Sequence, residues 1–204
     1  MFLHVTLCPC DLATYSMKIG ILGGTFNPIH YGHLILGEQV SGQLGLDKVI
    51  FVPSYISPHK SGHHVISVRH RLAMVELAVK ENPNFRVSNI EIRRKGKSYT
   101  VDTLKELKQR YKHAELFFIC GSDLVSELPS WKNLDEILTI AKFVLAKRPG
   151  FGKRLSGKSF LKINVAQVDI SSSLIRDLIK KKRSIRYLTP DSVANYIEKN
   201  RLYK

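Results

Sequence analysis

Cysteine is scarce in this 204-residue sequence: Cys8, Cys10 and Cys120 are the only three. A small, odd number supplies no disulfide framework, and Cys8-Pro9-Cys10 lacks the C-x-x-C spacing of redox and zinc sites. This usage fits a reducing cytoplasm. Long apolar runs are missing as well. No stretch is apolar enough to cross a bilayer, so a soluble protein with no membrane partner is expected. Two common phosphate-binding signatures, G-x-G-x-x-G and G-x-x-x-x-G-K-[ST], are absent from the turn that follows the first predicted strand. Acidic residues are few, 17 against 32 lysines and arginines, which leaves a net charge of +15. Such an excess favours anionic partners, whether nucleic acid, phosphorylated small molecules or acidic surfaces, and by itself does not choose among them.

The remaining composition is that of a folded protein. Hydrophobic residues make up 44% and charged residues 24%, enough for one compact domain with a buried core. Met1 to Ser16 carries no lysine or arginine and no cleavage site, so it makes a poor signal peptide. It reads as a disordered extension, with a single domain over residues 17–204. Strands are predicted at 18–22, 48–52, 85–88, 116–119, 142–146 and 161–165, and helices at 33–44, 68–80, 101–111, 134–138, 173–181 and 190–199. Alternating strand and helix means parallel crossovers, hence an α/β, Rossmann-like doubly wound sheet with helices on both faces. Ligands of such sheets sit beyond the carboxyl ends of the strands, which points to the loops after Leu22, Val52 and Ile119.

The strongest local signal is Gly23-Gly24-Thr25-Phe26-Asn27-Pro28-Ile29-His30-Tyr31-Gly32-His33, directly after the first strand. Glycines at a strand end permit a sharp turn and close approach to a ligand. The N–H groups of Thr25 and Phe26, with the start of the next helix, suit a phosphate. His30 and His33 are expected one turn apart on one helix face, with Gly32 leaving room for the phosphate chain. A Gly-Gly pair alone is usually just a turn; the strand-turn-helix context makes a polyphosphate cradle the better reading. A second signal is Asp169-Ile170-Ser171-Ser172-Ser173-Leu174-Ile175-Arg176. Serines before an apolar-periodic run are N-cap chemistry, and on their own would mean only that. Free N–H groups, hydroxyls and Arg176 one turn inside also make an anion site.

Together these segments resemble the nucleotidylyltransferase superfamily, through its H-x-G-H and I-S-S-T-x-[IL]-R motifs. The longer first run is similar to that of the bacterial nicotinate-nucleotide adenylyltransferases. Asn27 stands where many members carry aspartate, a position that shapes the turn, and Ser173 stands for threonine, which keeps the hydroxyl. Two further stretches look like the same family: Ser98-Tyr99-Thr100-Val101-Asp102-Thr103-Leu104, otherwise readable as a helix N-cap by Thr100, and Leu128-Pro129-Ser130-Trp131-Lys132. A lone tryptophan is more often core, but its setting between serine and lysine suggests a loop rim, and an indole face suits an electron-poor ring. Gly121-Ser122-Asp123 matches the family's G-x-D. Pro58-His59-Lys60 matches its P-P-H-K, with Ser57 for the first proline. Arg71 and Met74 match a helix motif and read as structural.

The resemblance implies transfer of AMP from ATP to nicotinate mononucleotide. It places ATP on Gly23, Gly24, Thr25, Phe26, His30, Gly32, His33, Gly121, Asp123, Ile170, Ser171, Ser172, Ser173 and Arg176. The mononucleotide falls to Thr25, Lys60, Tyr99, Thr100, Trp131 and Lys132, with backbone N–H groups of Thr100 and Lys132 on the carboxylate. His30, His33, Lys60 and Arg176 are the expected catalytic residues. No protein metal site is expected, because Mg2+ travels with ATP. Alternatives are the same chemistry on phosphopantetheine or nicotinamide mononucleotide, or nucleic-acid binding by Lys180-Lys181-Lys182-Arg183 and Arg186. That run has few interleaved aromatics and reads as a solvated helix face. The sequence leaves a homo-oligomer open.

Overall fold

The computed structural model describes residues 16–58, 65–121, 127–147, 160–166 and 168–204. Six strands form one sheet: β1 (Lys18–Gly24), β2 (Lys48–Pro53), β3 (Phe85–Val87), β4 (Glu115–Gly121), β5 (Lys142–Lys147) and β6 (Leu161–Asn164). Their order across the sheet is β3-β2-β1-β4-β5-β6, and every neighbouring pair is parallel. The helices are α1 (Tyr31–Leu44), α2 (Val68–Val79), α3 (Ile90–Arg94), α4 (Thr100–Arg110), α5 (Leu134–Ile140), α6 (Ser172–Lys180) and α7 (Asp191–Lys199). All six predicted strands and six predicted helices are present, within a few residues at their ends.

The central strands β1, β2, β4 and β5 are largely apolar because both faces of the sheet are covered there. Their two-residue period then sorts side chains into two cores. Ile19 and Ile21 of β1 point to one face, with Ile50, Leu116, Phe118 and Phe143. Residues of α3, α4 and α5, among them Ile90, Leu104, Leu107 and Ile137, cover that face. Leu22, Val49, Phe51, Phe117 and Ile119 point the other way, under Val40 of α1, Met74 and Val75 of α2 and Val193 of α7.

The sheet grows in opposite directions from β1, to β2 on one side and β4 on the other. Crossovers from these two strands leave on opposite faces, so a crevice opens at their carboxyl ends. Leu22 is paired with Phe51 of β2, and Ile21 with Phe118 of β4, so the chain emerges at Gly23 and Gly24 beside both neighbours.

Two elements were not anticipated: α3, and a single 3-10 turn at Leu128–Ser130. Each is about one turn long, too short to show a helical repeat. The expected extension at residues 1–16 lies outside the described residues except for Ser16, whose hydroxyl donates to the carbonyl of His113 (2.7 Å).

Candidate active site

A cavity of about 840 Å³ occupies the crevice beyond β1, β2 and β4. Its walls include the loop after β1, the starts of α4 and α6, and the Trp131 turn. Apart from Lys60 and Asp123, which lie outside the described residues, every site residue expected from sequence lines it.

At one end stands the loop after β1. Phe26 adopts φ 48°, reverses the chain and buries its ring against the edge of His33 (centroids 5.0 Å, 74°). A Cβ on Gly24 would lie 3.0 Å from that ring, so a side chain there would press on the buried Phe26. His30 is not on the helix face as expected. It is the N-cap of α1, in extended backbone, and its N–H donates to Nδ1 of His33 (3.3 Å). The two imidazoles meet by partial stacking, with centroids 3.7 Å apart. An Nδ1 that accepts places the proton of a neutral His33 on Nε2, making that atom a donor. The space beside Gly32 is taken by His30 itself: a Cβ there would lie 3.0 Å from its Nδ1, and 3.6 Å from the carbonyl of Ile170.

That last distance brings α6 against α1. Ser171 is the N-cap of α6 and accepts from the N–H of Leu174 (3.1 Å), so the plain capping explanation holds for it. Ser172 donates its hydroxyl to the carbonyl of Pro28 (2.8 Å). Arg176 donates to the carbonyl of Asn27 (2.9 Å) and to Ser173 Oγ (3.1 Å), and its half-buried side chain lines the cavity. The His pair and the serine-arginine helix start therefore share one chamber.

Sequence reasoning read Arg71 as structural but did not foresee which groups fix this loop from behind. Arg71 of α2 is 1% exposed and donates to the carbonyls of Thr25 (2.7 Å), Tyr55 (3.1 Å) and Ile66 (3.3 Å). Burial pulls its guanidinium below the usual arginine range, an effect opposed by Tyr203 and Glu91. From the chain's other end, the Tyr203 hydroxyl donates to Asn27 Oδ1 (2.9 Å), and Thr189 donates to the carbonyl of Ile29 (2.9 Å). Burial raises the Tyr203 phenol well above its usual value, so it remains a donor.

The opposite end is aromatic. Trp131 follows the 3-10 turn and stands edge-on to Phe118 (5.6 Å, 81°) and Phe143 (6.2 Å, 61°) while lining the cavity. Core packing and a place at the rim are thus both true of it. Tyr99, rather than Thr100, is the N-cap of α4, and no side chain caps that helix start. The first-turn N–H groups of α4, beginning at Thr100, lie at a wall of the cavity with the positive end of the helix dipole. Lys132 holds its ammonium over the Tyr99 ring at 4.7 Å, which joins the two walls of this end. Among the described residues, no group of three or more His, Cys, Asp or Glu converges as a metal site would.

Comparison with known proteins agrees with this geometry. The cytidylyltransferase-like family model matches residues 21–178. The nicotinate-nucleotide adenylyltransferase of Bacillus subtilis is 44% identical, over 92% of this chain and 98% of that protein. A protein of Enterococcus faecalis named as a probable enzyme of the same kind is 46% identical, over 92% of this chain and 85% of its own length. Among solved structures, Plasmodium falciparum nicotinic acid mononucleotide adenylyltransferase complexed with NaAD superposes with a TM-score of 0.77, covering 92% of this chain and 97% of that one. At 23% identity this last likeness carries the fold alone. With its Rossmann-like sheet, its H-x-G-H loop and relatives matched over nearly their whole length, the chain belongs to the cytidylyltransferase-like family and, within it, to the nicotinate-nucleotide adenylyltransferases.

Proposed function

We infer that this chain transfers the AMP group of ATP to nicotinate mononucleotide, yielding nicotinate adenine dinucleotide and pyrophosphate in the biosynthesis of NAD. One observation carries the reading: a single cavity with a phosphate-suited end and an aromatic end, meeting at the sheet's switch point. A reaction that joins two nucleotides through their phosphates needs that layout.

The phosphate of the mononucleotide attacks the α-phosphorus of ATP. An oxygen of that phosphate forms the new P–O bond, while the bond from the α-phosphorus to the bridging oxygen breaks and pyrophosphate leaves with the electron pair. A phosphate dianion is already nucleophilic, so no general base is required. Catalysis comes from alignment and from charge placed where the transition state is negative. His33, its Nδ1 engaged by the backbone of His30, donates from Nε2 to the α-phosphate. His30 takes the phosphate chain. Arg176 and the α6 start hold the outer phosphates, with Gly23, Gly24 and Thr25 supplying the turn around them and Gly121 meeting the nucleotide, a role that the family resemblance extends to Asp123. Lys60 adds charge at the transferring group.

Mg2+ enters as part of the Mg–ATP substrate. Among the described residues the phosphate end offers imidazole, hydroxyl and guanidinium groups, which suit phosphate oxygens, with the Asp169 carboxylate beside them. Trp131 stacks on the pyridine, and the N–H groups of Thr100 and Lys132 take its carboxylate. The working unit is residues 17–204, because α6, Thr189 and Tyr203 all bond to the phosphate loop. A reducing cytoplasm suits a chain with three cysteines, of which Cys120 is buried in the sheet.

The test is pyrophosphate release from ATP with three acceptors. Release should be fastest with nicotinate mononucleotide, weaker with nicotinamide mononucleotide and absent with phosphopantetheine. Release with phosphopantetheine alone would overturn the reading.

A further inference from the structure

Glu91 is a buried carboxylate, flanked in the chain by Ile90 and Ile92 on the one-turn helix α3. It is 7% exposed and lines the aromatic end of the cavity. Thr103 Oγ1 of α4 donates to Glu91 Oε1 at 2.6 Å, and the Ser98 side chain also hydrogen-bonds to the carboxylate. Arg94 donates to the same Thr103 oxygen (3.0 Å).

Ser98 carries the connection onward. Its Oγ accepts from the N–H of Tyr55 (2.9 Å), and its own N–H donates to the carbonyl of Ile56 (2.9 Å). Ile56 and Lys97 form an isolated parallel bridge. The loop after β2 and the turn that starts α4 are therefore bound to each other, and Ser98 and Thr103 tie both to Glu91. Behind them Arg71 holds the carbonyl of Tyr55 and contributes a favourable charge to Glu91.

Burying a carboxylate is costly unless hydrogen bonds and charge compensate. Here the compensation comes from the segments that frame one end of the cavity. Were the residue only a fold-stabilising group, its loss would weaken both substrates alike or neither. The connections predict instead a one-ended effect, because the hydrogen bonds of the Glu91 carboxylate go to Thr103 and Ser98, at the start of α4.

We propose that Glu91 is a positioning residue for the mononucleotide, fixing the start of α4 and the loop after β2 so that the backbone N–H groups at Thr100 meet the pyridine carboxylate. The inference rests on the function proposed above. It adds Glu91, acting through Ser98 and Thr103, to the residues that set mononucleotide affinity.

The experiment measures KM for both substrates, with kcat and Tm, in Glu91→Ala, Glu91→Gln and Thr103→Val. Loss of a buried hydrogen-bonded network should raise KM for nicotinate mononucleotide roughly tenfold in Glu91→Ala, while KM for ATP stays within about twofold. Glu91→Gln keeps the shape and one acceptor oxygen, and should return KM to within about threefold of the parent. Thr103→Val removes one arm without opening a hole, so it remains informative where the alanine variant does not fold. It should shift the same KM in the same direction by a smaller factor. Equal rises for both substrates would overturn the proposal, as would a lowered Tm with both KM values unchanged. Absence of turnover with nicotinate mononucleotide in the parent protein is a different result, and strikes the function itself rather than the role of Glu91.

Discussion

The two ends of the cavity are built by different means. At the phosphate end most of the proposed functional groups lie close together in the chain, from Gly23 to His33, with Arg176 and the start of α6 completing them, and distant residues hold the loop. Arg71, Arg176, Thr189 and Tyr203 all donate to oxygens of Thr25 to Ile29. At the aromatic end the functional groups come from separate segments, Tyr99–Thr100 and Trp131–Lys132, and are held by short local networks around Glu91 and the Phe118–Phe143 cluster. A continuous loop can be rigid only if its carbonyls find partners, because a buried unpaired carbonyl costs about 1–3 kcal/mol. Separate walls need only keep their spacing, and aromatic packing with a few side-chain bonds suffices for that.

Variants can break this contrast from either side. The largest effect is expected at His33, whose alanine variant should lower kcat by on the order of 10²–10³ with the fold intact. Near-unchanged turnover would remove the imidazole from the mechanism. Trp131→Ala should weaken nicotinate mononucleotide by roughly tenfold, since an aromatic contact and its buried area are lost together. ATP affinity should hardly move, and equal losses would undo the stacking role. Tyr203→Phe removes one hydroxyl behind Asn27 and should raise KM for ATP about threefold, with the mononucleotide unaffected. A rise in the mononucleotide KM instead would mean that the two ends are mechanically one.

The smallest effect is a pH dependence of stability at Glu91. Burial pushes its carboxyl up, with Thr103, Ser98, Arg94 and Arg71 pulling part of the way back. For a raised carboxyl, the stabilising contribution is complete below the unfolded value of about 4.3 and is lost as pH rises through the folded one. Glu91→Gln is neutral throughout. Its Tm relative to the parent should therefore increase as pH rises from acid toward neutral, and a difference that stays constant with pH would contradict the assignment.

Sheet and phosphate loop were legible in the sequence for one physical reason. Each is local in the chain: parallel strands covered on both faces are short, unbroken apolar runs, and the loop's glycines and histidines fall within one short segment, Gly23 to His33. His30 and His33 were rightly paired, but helix spacing gave the wrong geometry: an N-cap histidine meets the N3 side chain by folding back over the helix start. What escaped was support between remote positions. Tyr203 and Asn27 are 176 residues apart, and Arg71 lies 46 residues from Thr25. No periodicity marks such partners. Glu91 did leave a trace, an acid between two isoleucines, but its meaning depends on Ser98 and Thr103 being folded against it.

Trp131 is the chain's one tryptophan, so its fluorescence reports on the aromatic end alone. Titrating the intact protein with nicotinate mononucleotide should quench that emission saturably, while ATP added by itself should leave it nearly unchanged. Equal quenching by ATP, or none by the mononucleotide, would contradict a cavity whose two ends receive two different nucleotides.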